Sequence, residues 1–275
     1  MRIDRLVFGP GDRVTGWGCI RESGDGVWFD RPPPVPLNFS GRPWPLSPDA
    51  VRLEDADLGA VATAFAADGS LPGWATVTGV WLGDRVRVEE QSPVPPPSWR
   101  RSAQGPSWTR PPCPPPGGGW PTGGSGARTN NLEFDLGDLS STGAVVTAVT
   151  FRPGPDQRVL VVAATDEGAA ERRLRPQLGA QLCIVPSRWT RAQLDATYAV
   201  LGDHRDWTVG RLTRSVGEDG QAHVDAAVLR VLPEMADWAM TLPDDLLRID
   251  VALVPARGLE RSAPALRLTP QAEQR

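Results

Sequence analysis

The sequence predicts an α+β protein made of two compact modules joined by a proline- and glycine-rich linker. Strand-like and helix-like patterns fill residues 1–92 and 131–257, whereas residues 93–130 have a composition that suits neither. The chain has 275 residues, enough for two domains of ordinary size, and its hydrophobic content of 40% allows each a buried core. Residues 258–275 show no sustained apolar period, so we expect a disordered tail.

Short β-type runs separated by turn sequences indicate that the first module is rich in strands. We expect its strands at Arg2–Phe8, Val14–Ile20, Val27–Phe29, Trp74–Trp81 and Arg85–Glu90. Before the fourth strand, an apolar stripe with helical spacing predicts a helix, and it is formed by Leu58, Val61, Ala62 and Phe65.

Three strands, a helix and a two-strand hairpin follow one another in the order of an OB-like barrel. OB-folds are five-stranded, partly open barrels that bind oligonucleotides or oligosaccharides. The match is one of element order, and the same elements also build other small barrels or a sheet with a covering helix. Residues 1–92 hold 9 Arg and 13 Asp plus Glu, and this negative balance disfavours nucleic acid as the ligand.

The second module alternates strands with helices in the order ββαβαββαβ. We expect strands at 145–151, 159–163, 182–185, 207–212, 222–231 and near 249–253, with helices at 167–178, 190–202 and from Pro233. Thr190 and Gln193 have the spacing of a capping box, which marks a helix start. This order predicts an α+β sandwich in which helices cover a mixed sheet.

The linker is the strongest candidate for partner binding. Of its 38 residues 11 are proline and 7 glycine, and its four arginines are accompanied by no acidic residue. Polyproline segments lose little entropy on binding, and tryptophan and arginine are enriched at binding hot spots. We therefore predict that the linker contacts another protein, through Trp99, Arg100, Trp108, Arg110 and Trp120.

Composition also bounds the chemistry. All 29 basic residues are arginine, so Schiff-base catalysis, a Walker P-loop and a kinase-type lysine site cannot be built from this chain alone. The start of the chain has no apolar signal region, and we expect a cytoplasmic protein without a membrane span. Cys19, Cys113 and Cys183 have neither a disulfide framework nor a metal spacing, and we expect free thiols.

Candidate catalytic residues are few, and each has a structural explanation. His204 follows a helix and lies between Asp203 and Asp206. A positively charged side chain there stabilises the C-terminal end of the helix. The alternative is that His204 acts as a general base oriented by one of the two aspartates. His223 stands alone in a strand. Ser187 lacks the flanking glycines of a nucleophile elbow, and a helix cap explains it better.

The sequence therefore favours a non-catalytic interaction or adaptor protein, with no cofactor and no metal site. A different class of function stays open, in which an OB-like module binds single-stranded nucleic acid or an oligosaccharide. An enzyme whose site is assembled from dispersed Asp, Arg and Ser residues is the third alternative.

Overall fold

The structure is a computed structural model, and it describes residues 3–24, 26–31, 46–63, 73–94, 110–122 and 129–256. Within these residues four α-helices accompany sheets that combine parallel and antiparallel strand pairs, so the predicted α+β class is confirmed. No helix among them is long and apolar enough to cross a membrane.

The N-terminal sheet contains a ring of five strands. Its elements are β1 (Arg13–Ser23), β2 (Gly26–Asp30), β3 (Val51–Glu54), β4 (Ala62–Thr63), β5 (Gly73–Trp81) and β6 (Arg85–Pro93). Pairing runs β1–β2–β3–β6–β5 and returns from β5 to β1, while β4 pairs with β5 and with no other strand of the described residues. β3 and β6 are parallel, and the other pairs of the ring are antiparallel.

Alternate residues of these strands point into the ring and form its core. Val14, Ile20, Phe29, Val77 and Val86 are among them, and each is almost fully buried. Such alternation is what lets one face of a strand be apolar while the other faces outward. Two leucines from far along the chain, Leu229 and Leu253, complete the cluster.

Two elements predicted for the first module are wrong. Ile3–Leu6 form a 3-10 helix instead of a strand, and Leu6 is buried in the core of the C-terminal region. In the predicted helix, Leu58 lies in an exposed turn and Ala62–Thr63 form β4; Phe65 lies outside the described residues.

Local hydrogen bonds explain why the helical stripe fails. The carboxylate of Asp57 accepts a hydrogen bond from the backbone nitrogen of Gly59 at 2.7 Å, which closes a tight turn. Gln91 of β6 donates to the backbone oxygens of Asp57 and Ala60, at 2.6 and 3.0 Å. The side chain of Gln91 therefore occupies two backbone carbonyls that would accept hydrogen bonds from within the segment if it were a helix.

The C-terminal region consists of two units with the same αββαβ order. The first comprises α1 (Thr129–Ser141), β7 (Val145–Phe151), β8 (Val159–Ala164), α2 (Glu167–Leu178) and β9 (Leu182–Pro186). The second comprises α3 (Arg191–Asp203), β10 (Arg211–Val216), β11 (Ala222–Val228), α4 (Pro233–Met240) and β12 (Leu247–Val251). The order predicted from the sequence is confirmed, and α1 is an additional helix before it. The strand predicted at 207–212 is misplaced, because a 3-10 helix ends at Trp207 and β10 begins at Arg211.

Each unit builds its own three-stranded mixed sheet, so the strands divide between two sheets instead of forming one. An antiparallel hairpin is followed by a helix that returns the chain to a third strand, parallel to the second. The predicted capping box of Thr190 and Gln193 is present at the start of α3. The carboxylate of Asp166 caps α2 by accepting from the nitrogen of Ala169 at 2.8 Å.

Residues 110–122 of the predicted linker are fastened to the first unit; we call them the strap. A disulfide joins Cys113 in the strap to Cys183 in β9, with 5.8 Å between their Cα atoms. The expectation of three free thiols is therefore wrong, because folding brings together two cysteines that are 70 residues apart in sequence. Cys19, the remaining cysteine, is a free thiol of β1 buried beside Trp74, and burial raises its pKa to about 12.

The ring and the C-terminal units touch through several elements. The last described strand, β13 (Leu253–Pro255), pairs with β1, and a Cβ atom at Gly16 would lie 2.2 Å from the oxygen of Ala252. Arg31, which follows β2, donates to the carboxylate of Asp49 at 2.6 Å and to the oxygen of Thr208 at 2.8 Å. The boundaries of the modules at residues 92 and 131 stay a prediction.

Candidate binding site

The structure describes two of the five residues predicted to bind a partner. Arg110 is exposed at the start of the strap, and Trp120 is half-buried near its end. Trp99, Arg100 and Trp108 lie outside the described residues.

Trp120 already has contacts within its own chain. Its ring packs against the large core of the C-terminal region, and its backbone oxygen accepts a hydrogen bond from the side chain of Gln157 at 2.9 Å. With the disulfide and the N-terminal end of α2, it lines a groove of about 570 Å³ that also contains Glu171 and Arg175. The partner-binding role of the linker stays a prediction.

His204 lies at the C-terminal end of α3, as the sequence indicated. Its exposed ring stacks on the buried indole of Trp207, with the ring centroids 4.1 Å apart and the planes inclined by 8°. Its backbone nitrogen donates to the oxygen of Val200 and closes the last turn of the helix. These contacts give His204 a structural role: it ends α3 and packs on an aromatic ring.

His223 and Asp225 bring together a constellation that the sequence did not show. Ser215 of β10 lies opposite His223 of β11, so serine, histidine and aspartate share one face of the second sheet. The imidazole Nδ1 lies 3.0 Å from the oxygen of Gln221, and Nε2 lies 3.2 Å from a carboxylate oxygen of Asp225.

Both ring nitrogens of His223 therefore face hydrogen-bond acceptors, and an imidazolium can donate to both. A general base needs one nitrogen that can take a proton from the nucleophile, and here neither nitrogen faces Ser215. Ser187 is likewise engaged, because its hydroxyl donates to the oxygen of Trp189 at 2.6 Å. Among the described residues, no group of three or more His, Cys, Asp or Glu side chains could hold a metal ion.

The outer surface of the ring carries three basic side chains and one aromatic side chain in a single row. Arg21 of β1 lies opposite Trp28 of β2, and Trp28 lies opposite Arg52 of β3. Arg52 in turn lies opposite Arg85 of β6. The residues that alternate with these four belong to the inner core, so all four side chains leave the ring on its outside. We call this set the Arg–Trp row; at about 4.8 Å between strands it spans about 14 Å.

The middle of the row is built around Gly26. The indole nitrogen of Trp28 donates to the oxygen of Ser23 at 3.0 Å, which fixes the plane of the ring. A Cβ atom at Gly26 would lie 3.2 Å from Nε of Arg52 and 3.6 Å from the indole nitrogen. Glycine at this position therefore leaves room for the guanidinium and the indole edge to lie side by side.

Carboxylates stand at the two ends of the row. Nη2 of Arg21 lies 3.7 Å from Asp30, and both of these side chains are almost buried. Nε of Arg85 lies 3.6 Å from Glu54, and both are more than 40% exposed. Trp28 and Arg52 occupy the centre and are half-buried. Such a surface can stack a flat ring on the indole and hold a phosphate or carboxylate with the guanidiniums.

Local sequence patterns do not single out the three arginines of the row or connect them with Trp28. They are separated by more than 30 residues from one to the next, and only the strand register makes them neighbours. No protein-family model, curated protein or solved structure matches this chain. The α+β fold and the Arg–Trp row are thus the basis for a functional proposal.

Proposed function

We propose that the protein is a non-catalytic binding protein whose ring holds a single-stranded nucleic acid on the Arg–Trp row. One observation carries the proposal: three guanidiniums and an indole form one continuous row across four paired strands. Aromatic rings stack bases without regard to sequence, and arginines bind the phosphates between them. The row combines both groups within a span that an extended chain of a few nucleotides can follow.

The pairing of the ring supports an OB-like fold. If the two-residue β4 is left out, the five longer strands β1, β2, β3, β5 and β6 are the first to fifth along the chain. Around the ring they are paired in the order 1-2-3-5-4-1, and the third and fifth strands are parallel. In OB-folds the face of the second and third strands binds oligonucleotides and oligosaccharides. Trp28 and Arg52 lie on those two strands. The negative net charge of residues 1–92 acts against a polyanion, so the affinity must come from the local row.

A second candidate, a protein-interaction or adaptor function, has its own support. Tryptophan and arginine are the residues most enriched at protein-binding hot spots, and a net negative surface is no obstacle to a protein partner. The row would then act together with the predicted linker residues Trp99, Arg100, Trp108, Arg110 and Trp120.

Fluorescence anisotropy with a labelled oligothymidylate of about 15 nucleotides tests the nucleic-acid proposal. Arg21 is almost buried beside Asp30, so Arg52 and Arg85 are the guanidiniums of the row that can reach phosphates. If they neutralise two phosphates, log K should fall with log salt concentration at a slope of about −1.4. Arg52→Ala should make this slope shallower by about 0.7. Trp28→Ala should cost about 1–3 kcal/mol of binding free energy and leave the slope unchanged, because it removes stacking and not charge.

Arg13→Ala is the matched control. Arg13 is also an arginine of β1, but it lies eight residues from Arg21 and pairs with Glu89 and Glu90 at 3.0 and 2.6 Å. Arg13→Ala changes the net charge by the same amount as Arg52→Ala, but it should leave the affinity for the oligonucleotide near that of the wild type. Equal losses in Arg13→Ala and Arg52→Ala would show unspecific attraction and contradict the proposal. The adaptor alternative is supported if the oligonucleotide does not bind and a host protein is retained by wild type and Arg13→Ala but not by Trp28→Ala.

A further inference from the structure

The two αββαβ units meet at their first strands and leave a cleft between them. β7 pairs with β8 and β10 pairs with β11, so in the described residues each has one edge without a strand partner. These two edges face each other, with Cα atoms of the two strands within 8 Å. The cleft is an open depression of about 1060 Å³ along these edges, and it is bordered by the C-terminal end of α1 and by α3.

The cleft holds an excess of positive charge. Arg191 of α3 donates to both carboxylate oxygens of Asp195 at 3.0 Å, and Nε of Arg214 of β10 lies 2.7 Å from the same carboxylate. These are the charged side chains that line the cleft among the described residues. One carboxylate faces two guanidiniums, so the side chains that line the cleft carry a net charge of about +1, which attracts an anion. The C-terminal end of α1 on the opposite border carries a partial negative charge, so we expect the anion beside the two guanidiniums and not beside α1.

Both guanidiniums are held in place before any ligand arrives. Arg214 lies over the ring of Tyr198, with its central carbon 4.0 Å from the ring centroid. Arg191 also donates to the backbone oxygen of Val146 in β7 at 3.2 Å. Their side chains remain 27% and 31% exposed, so each still offers N–H groups to the cleft. A site with fixed donors loses little conformational entropy on binding.

The distance between the two edges decides the size of the ligand. An added β-strand needs about 4.8 Å on each side, and hence about 9.6 Å between the edges. Because the strands approach more closely than this, a peptide cannot enter the cleft as a shared strand. We propose that the cleft binds a small organic anion, with a carboxylate or phosphate group held by Arg191 and Arg214.

The side chain of Asp195 allows a test in which one substitution should strengthen ligand binding and another should weaken it. It competes with the ligand for the two guanidiniums, so its removal should strengthen binding. Isothermal titration of the full chain at constant ionic strength should show saturable binding of citrate or of inorganic phosphate. Asp195→Asn should lower Kd several-fold, and Arg214→Gln should raise Kd about tenfold or more, since a charge-assisted hydrogen bond is lost.

Arg211→Gln provides the matched control, because Arg211 lies on the same strand, is not among the described residues that line the cleft, and lies 3.9 Å from Asp250. Its Kd should equal that of the wild type. Binding of citrate alone indicates a carboxylate ligand, and binding of phosphate alone a phosphorylated one. The proposal is overturned if neither citrate nor phosphate binds to either the wild type or Asp195→Asn. It is also overturned if Arg211→Gln weakens binding as much as Arg214→Gln does. The gain expected for Asp195→Asn cannot result from misfolding.

Discussion

The sheets of the two αββαβ units have the same topology but different surroundings. The first sheet is covered on both sides: Val162 faces α1 and α2, and Val161 faces the large core on the other side. Among the described residues, helices and core side chains cover only one side of the second sheet. The other face is polar and carries Arg211, Thr213, Ser215, Asp225, Arg248 and Asp250, together with the buried His223.

This difference shows in the sequence once the surroundings are known. β8 is the uninterrupted apolar run Val159–Ala164, whereas His223, Asp225, Arg248 and Asp250 interrupt β11 and β12 at every second position. Continuous apolar runs are typical of strands buried on both faces, and alternation is typical of strands with one wet face. The same strand order can therefore be built by two residue patterns, and the neighbouring layers select which one is needed.

The largest effect is expected when a charge is placed on each sheet in turn. Val162→Asp puts a carboxylate where the side chain is fully buried, and we expect a loss of more than about 4 kcal/mol in the free energy of unfolding, or no folding at all. Ala227→Asp on the polar face should cost about 1 kcal/mol or less. Urea denaturation of both variants measures the contrast, and similar losses would mean that the two faces are not different.

The strap is the second asymmetry, because Cys113–Cys183 fastens it to the first unit. A disulfide that closes a loop of 70 residues stabilises by about 4 kcal/mol in the chain-entropy account. We expect denaturation with a dithiol reductant, or of Cys113→Ser, to show a loss of this order.

Cys19→Ser is the control for the strap. The difference in the free energy of unfolding between the oxidised and the reduced protein should be as large in this variant as in the wild type. The intact mass of the native protein should be about 2 Da below that of the reduced protein, as one disulfide requires. Equal masses and equal stabilities would contradict the disulfide.

A smaller effect is expected on the polar face of the second sheet. Burial by itself raises the pKa of Asp225, but the hydrogen bond from His223 and the positive charges around it lower that pKa below its ordinary value. A carboxyl with a lowered folded-state pKa stabilises the protein above its unfolded pKa, about 3.9, and the contribution is lost as the pH falls through the folded-state pKa. The free energy of unfolding should thus fall more steeply with acid in the wild type than in Asp225→Asn.

Thr213→Val on the neighbouring strand is the control, and it should leave the acid dependence unchanged because it removes no titrating group. Parallel pH profiles for wild type and Asp225→Asn would show that the aspartate does not contribute.

The smallest effect is expected for His204→Ala at the end of α3. The exposed ring loses its stacking on Trp207, which should cost no more than about 1 kcal/mol, with the circular dichroism spectrum unchanged. Binding to oligothymidylate and to citrate should also be unchanged. A loss of either binding by this variant would give His204 a role that its contacts do not indicate.

Local sequence determined much of the C-terminal region. The bounds of β7 and α2 agree with the predicted ranges, and the capping box at Thr190 and Gln193 starts α3 as expected. The reason is that alternation, helical periodicity and capping act between residues a few positions apart, so they can be recognised in the chain itself.

Other elements depended on contacts that no local pattern contains. The stripe at Leu58–Phe65 has helical spacing, yet its described part is a turn and a strand because Gln91 binds the carbonyls from a neighbouring strand. Val51–Glu54 is too short to stand out, and it becomes β3 because β2 and β6 pair with it on both sides. Here tertiary hydrogen bonds outweigh propensity, which differs among residues by less than about 1 kcal/mol.

The sequence by itself determined the α+β class, the order of strands and helices after residue 140, and the lack of lysine with the chemistry this excludes. Tertiary structure decided the closure of the ring, the Arg–Trp row, the cleft between β7 and β10 and the disulfide. Folding brings together residues that are distant in the chain: Arg21 and Trp28 are 7 positions apart, and Cys113 and Cys183 are 70 positions apart. Side-chain type fixes which contacts are favourable, but register and packing fix which residues become neighbours, and neither is encoded locally.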